Sequence, residues 1–284
     1  MKSRQSLLSK VFVAALLMFA PPPASAVTVT EIVVPIPGVT FFSANAINDR
    51  GQAVGFYFDD GVRYCFLWEK GLFQTLSVPA TTGTTCYGIN NRSQIVGSYS
   101  DSVGTVHNFL WDAGTLNEIP VPGSPFPVGG INDRGQIAGS YFDGIDAHCY
   151  LWEKGVVRTI DIPATTAALC YAINNRDQIA GSFAGPSNSG GFVLTRGVLT
   201  SISLFLFTRA ATSINDHGQA VGLFFDNSVS RGFFFDKGNP VPISLPVPDP
   251  LFSNVAINNS GDLLVTFRSF GGFPLRMILV SADH

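Results

Sequence analysis

A short phrase, Ile-Asn-Asp/Asn-Arg-Gly-Gln, returns with small variations at a nearly constant interval through the whole chain. Its asparagines mark the equivalent positions and will be called the anchor asparagines: Asn48, Asn90, Asn132, Asn174, Asn215 and Asn258. The successive intervals are 42, 42, 42, 41 and 43 residues. So regular a period indicates one structural unit, repeated and packed against its neighbours. A repeat architecture carries many unrelated activities, so the phrase constrains the fold far more than the function.

Each period divides into four short extended segments. In the second unit they are residues 85–89, 94–99, 107–111 and 116–121, which are rich in β-branched and aromatic residues and bounded by Gly, Pro, Asp or Asn. The anchor phrase itself is typical of the hairpin turn between the first two strands. Four strands in about 42 residues is the size of a propeller blade. The sequence therefore predicts an all-β fold, a six-bladed β-propeller of four-stranded repeats.

The two ends of the chain indicate how such a ring would close. After the sixth anchor, strands are predicted at 254–257, 262–267 and 275–280, and no fourth strand follows. Residues 30–38 at the other end resemble residues 116–123, which form the fourth strand of the second unit. We therefore expect the N-terminal strand to complete the last unit and close the ring.

The first residues have the features of an export signal. Lys2, Arg4 and Lys10 precede the apolar run 11–20, and the small residues 24–26 are suited to a signal peptidase. The sequence thus predicts a signal peptide over 1–26 and a single propeller domain over 27–284. The mature protein is expected to be exported, extracellular or periplasmic, with no membrane anchor after cleavage.

Composition and motifs exclude several functional classes. A net charge of −3 gives no basic footprint for nucleic acid. The sequence contains no His-Glu-x-x-His, no Gly-x-Ser-x-Gly and no phosphate-binding loop, so it predicts no catalytic residue, cofactor or metal site. The favoured function is a non-enzymatic, monomeric binding module whose partner is an extracellular protein or an acidic polysaccharide. The alternatives are a carbohydrate-active hydrolase or lyase and a structural extracellular matrix protein.

The repeat resembles a known family at several positions together. Ile-Asn-x-x-Gly-Gln-Ile-x-Gly-x-Tyr, followed by His-x-Phe-Leu-Trp and Thr-x-x-x-Pro, is similar to the HAF family of bacterial extracellular repeat proteins. The resemblance implies an exported repeat protein and, because the family has no established activity, no catalytic residues. The chain departs from the pattern at Tyr64 in the His position, at residues 192–194 in the aromatic triplet, and at Val265 in the second-strand Gly position.

The four cysteines follow a longer repeat. Cys65 and Cys86 are 21 residues apart, as are Cys149 and Cys170, and the second pair lies 84 residues after the first. Equivalent residues of duplicated units have equivalent surroundings, which predicts the disulfides Cys65–Cys86 and Cys149–Cys170. Each would join the start of a third strand to the start of the next unit's first strand. The chain has neither a Cys-x-x-Cys spacing nor paired histidines for a metal.

One set of charged residues falls in the anchor turn. We call it the arginine arc, and its members occupy one equivalent position: Arg50, Arg92, Arg134 and Arg176. Four guanidinium groups on one face would bind anions or acidic glycans. The competing interpretation is a solvated turn position with no ligand.

A second set of polar residues is expected on the opposite face. Its carboxylates all lie 11 residues after an anchor asparagine: Asp59, Asp101, Asp143 and Asp226. His107 and His148 follow two of them closely. Carboxylates that converge at a channel would hold a cation or a hydroxylated ligand, whereas isolated ones would only cap turns.

Overall fold

The computed structural model describes residues 27–39, 41–76, 78, 82–162, 167–185, 189–203, 208–245, 250–269 and 275–282. The predicted signal peptide lies outside these residues. The described part of the chain contains no helix, and hence no helix that is long and apolar enough to cross a membrane.

All regular structure in the described residues is β-strand. The first twelve strands are β1 (Val27–Ile32), β2 (Phe42–Ile47), β3 (Ala53–Asp59), β4 (Val62–Glu69), β5 (Leu72–Leu76), β6 (Gly83–Ile89), β7 (Ile95–Ser100), β8 (Val106–Asp112), β9 (Thr115–Ile119), β10 (Ser124–Pro125), β11 (Ile137–Phe142) and β12 (Ala147–Glu153). The others are β13 (Val156–Ile160), β14 (Ala167–Ile173), β15 (Ile179–Ala184), β16 (Ser189–Thr195), β17 (Val198–Ile202), β18 (Thr208–Ile214), β19 (Ala220–Asp226), β20 (Val229–Asp236), β21 (Asn239–Pro242), β22 (Pro250–Ile257), β23 (Leu263–Ser269) and β24 (Arg276–Ala282).

These strands form repeated four-stranded antiparallel sheets, one for each copy of the anchor phrase. The orders β10-β11-β12-β13, β14-β15-β16-β17 and β18-β19-β20-β21 follow the chain directly. Strands β2 to β9 form one eight-stranded sheet, in which β2–β5 and β6–β9 are joined by a single parallel bridge between Arg63 and Gly83. The prediction of an all-β fold built from four-stranded repeats is confirmed.

The third unit has an irregular innermost strand. Its β10 has two residues, and further along only an isolated bridge joins Ile131 to Ile137. Four prolines and two adjacent glycines fall in the segment 120–130 that leads to the anchor. Proline lacks the N–H that a strand ladder needs, which accounts for the interrupted pairing.

The N-terminal strand belongs to the sheet of the last three strands. That sheet has the order β1-β24-β23-β22, and β1 pairs antiparallel with β24 from Val27 opposite Ala282 to Ile32 opposite Met277. Ile32 is 1% exposed and belongs to a buried cluster with Met277 and Leu264. Residues of the first unit, among them Ala44 and Phe66, complete the same cluster. One hydrophobic core therefore includes both ends of the described chain.

Glycine in the second strand of five of the six units allows tight packing inside the unit. At Gly97 in β7, an added Cβ would lie 2.4 Å from the Phe109 ring of β8 and 2.5 Å from the Thr85 carbonyl oxygen of β6. The aromatic ring of the third strand thus occupies the space that a side chain would need. Phe109 is 1% exposed in consequence.

The disulfides link consecutive units, as predicted. Cys65 in β4 is bonded to Cys86 in β6, and Cys149 in β12 to Cys170 in β14, with Cα–Cα distances of 5.3 and 5.5 Å. The expectation that they join strand starts is wrong, because the strands begin earlier than predicted and all four cysteines lie within them. Each bond connects the third strand of one unit to the innermost strand of the next unit.

Removal of one disulfide should lower stability without changing the fold. The double substitution Cys65→Ala and Cys86→Ala is expected to cost about 3 kcal/mol of unfolding free energy, the chain-entropy value for a loop of about 20 residues. The matching pair at Cys149 and Cys170 should cost a similar amount, because the two loops have the same length. Urea unfolding of both variants measures this, and a cost below about 1 kcal/mol for both would contradict it.

Candidate functional site

The anchor asparagines are buried hydrogen-bonding centres. Asn132 is 3% exposed, and its Oδ1 accepts from the backbone N–H groups of Arg134 and Gln136, both at 3.0 Å. Its Nδ2 donates to Gln136 Oε1 at 2.7 Å and to the carbonyl oxygen of Asn174 at 3.1 Å. One side chain therefore fixes its own turn and also binds the next repeat, which a simple turn residue would not do.

The same donation recurs at every anchor, and we call it the inner circuit. Nδ2 of each anchor asparagine donates to the carbonyl oxygen of the next: Asn48 to Asn90 (2.9 Å), Asn90 to Asn132 (3.0 Å), Asn132 to Asn174 (3.1 Å), Asn174 to Asn215 (2.8 Å), Asn215 to Asn258 (3.1 Å) and Asn258 to Asn48 (3.2 Å). The last of these bonds joins residues 210 positions apart in sequence.

The residues that follow the anchors form a second set of bonds, the outer circuit. They alternate between carboxylate and carboxamide: Asp49, Asn91, Asp133, Asn175, Asp216 and Asn259. The backbone N–H of each donates to Oδ1 of the next at 2.6–2.8 Å. Nδ2 of each asparagine also bridges Oδ2 of the two flanking aspartates at 2.6–3.0 Å.

The alternation matches donors to acceptors. A carboxylate only accepts, whereas a carboxamide NH₂ has two hydrogens to donate, so each asparagine serves one aspartate on either side. Aspartate at all six positions would place like charges side by side without these donors. The predicted hairpin turn does not by itself include this arrangement. The signal was present in the strict Asp/Asn alternation after the anchors.

The two circuits surround a narrow mouth, lined by the Ile-Asn-Asp/Asn tripeptides of all the repeats. Its cavity volume is about 70 Å³. At roughly 10–15 Å³ per water, that space holds about five water molecules and excludes a sugar ring. In the described portion of the chain, His, Cys, Asp and Glu side chains form no group of three that could hold a metal ion. The mouth is therefore a closed polar network with little room for a substrate.

The arginine arc lies around this mouth, and three of its members extend over the turn of the next repeat. Arg50 Nη1 donates to Ser93 Oγ at 3.0 Å. Arg134 donates to the carbonyl oxygen of Asn175 and pairs with Asp177. At Gly135, an added Cβ would lie 2.9 Å from Nη2 of Arg92. Much of the arc is therefore engaged in contacts between repeats.

The fourth member of the arc is Arg176, which is exposed. The charge of the whole arc is offset locally by carboxylates of the outer circuit and of its own turns: Asp49, Asp133, Asp216 and Asp177. Four positive and four negative groups share this surface, so their summed field is much weaker than that of the arginines alone.

Asp101 and Asp143, from the second predicted set, each bind within their own hairpin. Asp101 Oδ1 accepts from the N–H groups of Val103 and Thr105 at 3.0 and 2.8 Å, and its Oδ2 lies 3.2 Å from Nε2 of His107. Asp143 makes the equivalent bonds, with His148 Nε2 at 2.9 Å. Both histidines stack on a tyrosine of the preceding strand.

These contacts stabilise the charged form of both carboxyl groups. The pKa of Asp143 is lowered to about 2, first by the N–H groups of Asp146 and Ile145 and then by His148. The pKa of Asp101 is lowered mainly by its hydrogen bond to His107. Neither group is therefore placed to act as a proton donor near neutral pH.

The other two members of this set end their strands. Asp59 is the last residue of β3 and Asp226 the last of β19, where it accepts a bond from Asn227 at 3.2 Å. The hydrogen bonds of Asp101 and Asp143 stay within their own hairpins, and His107 Nδ1 also lies 3.8 Å from Glu118 Oε1 on the neighbouring strand β9 of the same unit. This pattern agrees with the turn-capping interpretation.

Comparison with known proteins identifies the fold. No family model and no curated protein matches the sequence. Among solved structures, the chain is similar to a streptogramin B lyase (TM-score 0.52, 12% identity, covering 90% of this chain and 98% of that one). It is also similar to AofleA from Arthrobotrys oligospora (TM-score 0.54, 12% identity, 89% and 86% covered).

A third similar structure is the β-propeller domain of the Trilobed protease from Pyrococcus furiosus, which has an open velcro topology (TM-score 0.57, 10% identity, 88% and 83% covered). These similarities establish a β-propeller scaffold. At such low identities they do not carry any activity over to this chain.

Proposed function

We propose that the chain is a six-bladed propeller whose ring is closed by β1. Pairing of β1 with β24 supports this, since it supplies the outermost strand of the last sheet from the opposite end of the chain. Both circuits support it as well, because their last bonds run from Asn258 and Asn259 back to Asn48 and Asp49. A third support is the hydrogen bond of 3.1 Å from the N–H of Ala44 to Thr266 Oγ1.

We also propose that the protein is exported and belongs among the HAF-type extracellular repeat proteins. The two disulfides support export, since such bonds persist in oxidising compartments. The signal-like residues 1–26 support the same destination. The HAF proposal depends on the repeat phrase and the aromatic triplets described above.

We infer that the protein acts as a non-enzymatic binding module. The observation that carries this proposal is that the carboxylates and carboxamides of the mouth are already hydrogen-bonded to one another. The cavity of about 70 Å³ also has no room for a polymer. A rigid scaffold with its central polar groups already satisfied leaves the outer faces to recognise a ligand. The ligand class that we favour is an acidic polysaccharide.

Binding and cleavage can be separated in one experiment. The protein is incubated with a panel of acidic and neutral polysaccharides, and its retention in affinity electrophoresis is measured alongside new reducing ends and absorbance of unsaturated products. We expect retention by at least one acidic polymer with no products. Product formation would establish the hydrolase or lyase alternative. Absence of binding across the panel would reject an acidic polysaccharide as the ligand and leave a protein partner or the structural matrix alternative.

The arginine arc should contribute little to such binding. Replacing Arg50, Arg92, Arg134 and Arg176 together by Gln is expected to weaken acidic polysaccharide binding at most about threefold, because the neighbouring carboxylates offset the field of the arc. The effect should vanish near physiological salt, where the Debye length is about 8 Å. A Kd increase of tenfold or more at that salt concentration would identify the arc as the main site.

A further inference from the structure

Three phenylalanines and one arginine form a compact group in the first unit, which we call the unit-1 cluster: Phe41, Phe56, Phe58 and Arg63. The ring centroids of the phenylalanines are 5.6–6.0 Å apart. The guanidinium carbon of Arg63 lies 5.1 Å from the ring centres of both Phe56 and Phe58. A cation held between two aromatic faces has a restricted orientation.

The cluster lies at the end of β3 and β4 that is remote from the mouth, across the join between the first two units. Phe58 donates its backbone N–H to the carbonyl oxygen of Phe41 at 3.0 Å. Arg63 Nη1 donates to Thr85 Oγ1 of the next unit at 3.2 Å. Arg63 also forms the parallel β-bridge with Gly83, and because glycine has no side chain, nothing from that residue covers the Arg63 side chain. The cluster is therefore anchored on both units.

The second and third units make the same join without these side chains. Phe56 pairs with Cys65, and the equivalent pairs are Ser98 with Asn108 and Ser140 with Cys149. The serine hydroxyls bond the next unit, since Ser98 Oγ accepts from Val128 N at 3.3 Å and Ser140 Oγ from Cys170 N at 2.8 Å. The first unit replaces this structural serine with a large aromatic ring.

Arg63 is likewise peculiar to the first unit. Its equivalents opposite the second strand are Val106, Ala147 and Ser189. At these three equivalent positions the fold makes the same join with small or apolar residues, whereas in the fifth unit Arg231, one position further along, donates to the Pro250 carbonyl oxygen at 3.5 Å. Side chains that depart from the repeat without serving the packing are candidates for recognition.

The cluster is open to solvent. Phe41 is 40% exposed and Arg63 is exposed, while Phe56 and Phe58 are half-buried. Arginine has five N–H donors in a planar fork that matches a carboxylate. Phenylalanine faces pack against the C–H face of a sugar ring. Four side chains cover far less than the roughly 1,000 Å² that a stable protein interface needs, which favours a single sugar residue as the occupant.

We propose that the unit-1 cluster binds a carboxylate-bearing sugar residue of an acidic polysaccharide, a uronate. Phe41 packs against the sugar ring, and Arg63, held by Phe56 and Phe58, binds the carboxylate. This inference rests on the binding function proposed above and names its site.

The test replaces cluster residues of the first unit by the residues found at the equivalent positions of the second unit. The triple variant Phe56→Ser, Phe58→Ser and Arg63→Val takes its residues from the equivalent places in the second unit, so we expect it to fold. Polygalacturonate and alginate binding should weaken at least tenfold, as measured by titration calorimetry. Wild-type protein should prefer polygalacturonate over its methyl ester by a similar factor, because esterification removes the carboxylate.

Two further variants keep the test decisive. Phe142→Ser is the matched control, since Phe142 is 39% exposed at the position equivalent to Phe58 but pairs with Ala147 instead of an arginine. It should leave binding unchanged. Phe41→Ala removes a ring that is 40% exposed and lies outside β3 and β4, so it should weaken binding at least threefold even if the triple variant does not fold.

The outcomes separate the site from the function. Undiminished uronate binding by a folded triple variant, or by Phe41→Ala, overturns the site and leaves the binding function intact. Equal loss in Phe142→Ser also overturns it, since the effect would not be specific to the cluster. Wild-type binding to neutral polymers alone overturns the uronate assignment, and no binding to any polymer removes the proposed polysaccharide-binding function as well.

Discussion

Removal of residues 27–38 is expected to cost at least about 5 kcal/mol of unfolding free energy, comparable to the whole stability of many domains. The deletion removes β1 and the buried Ile32, and it leaves the edge of β24 unpaired. It also takes away Val34 and Ile36, which pack against the core shared by the first and last units. Urea unfolding followed by circular dichroism measures the loss.

Two further variants test whether the loss of stability comes from the pairing and burial of β1. A chain that ends at Ser281 loses from the pairing of β1 with β24 only the terminal pair, Val27 with Ala282, and should lose less than about 1 kcal/mol. Ile32→Ala keeps the strand but empties its buried site, at a cost of about 3 kcal/mol. Similar stability of the two truncated chains would refute closure by β1.

Replacement of a single anchor asparagine should be nearly as damaging as loss of a core residue. Asn132→Ala removes four hydrogen bonds in a buried position and leaves the N–H groups of Arg134 and Gln136 without their partner, while the carbonyl oxygen of Asn174 keeps only the Asp177 N–H at 3.3 Å. Unpaired buried groups cost roughly 1–3 kcal/mol each, so we expect a total of about 4 kcal/mol. Equilibrium unfolding in urea gives the value.

The matched control is Asn117→Ala, an exposed asparagine in the outermost strand β9, which should change stability by less than about 0.5 kcal/mol. Asn132→Asp is the more specific test. It keeps the side-chain shape but replaces the donating Nδ2 by an oxygen that faces two acceptors, Gln136 Oε1 and the carbonyl oxygen of Asn174. Burial and the facing oxygens would raise the folded-state pKa of the new carboxyl, so its penalty should shrink as pH falls toward that pKa. If Asn132→Ala lost no more unfolding free energy than Asn117→Ala, an energetic role for the inner circuit would be ruled out.

The fold was predictable because local signals repeat. In the second unit the predicted strand 107–111 lies within β8 (Val106–Asp112), and the predicted 85–89 lies within β6 (Gly83–Ile89). Turn residues mark such boundaries in every copy, so errors of one or two residues do not change the topology. Duplication likewise gave the disulfide pairing, because equivalent cysteines share equivalent surroundings.

The site was less predictable because it depends on contacts between repeats about 42 residues apart. Nothing local to Asn91 shows that its amide lies between Asp49 and Asp133. For the same reason, the sequence could not show that Arg134 would extend over the turn that contains Asp177. The unit-1 cluster had a sequence signal, the departure of Phe56 from serine, but its pairing with Arg63 required the register of β3 and β4.

The outer circuit also restricts the number of repeats that such a protein can have. A ring in which carboxylates and carboxamides alternate is complete only with an even number of members. Insertion or loss of one repeat would bring two aspartates or two asparagines together, leaving either two adjacent charges or two amides without an acceptor between them. Gain or loss of repeats in pairs preserves the parity. The cysteine pairs, 84 residues apart, repeat at this same interval of two units.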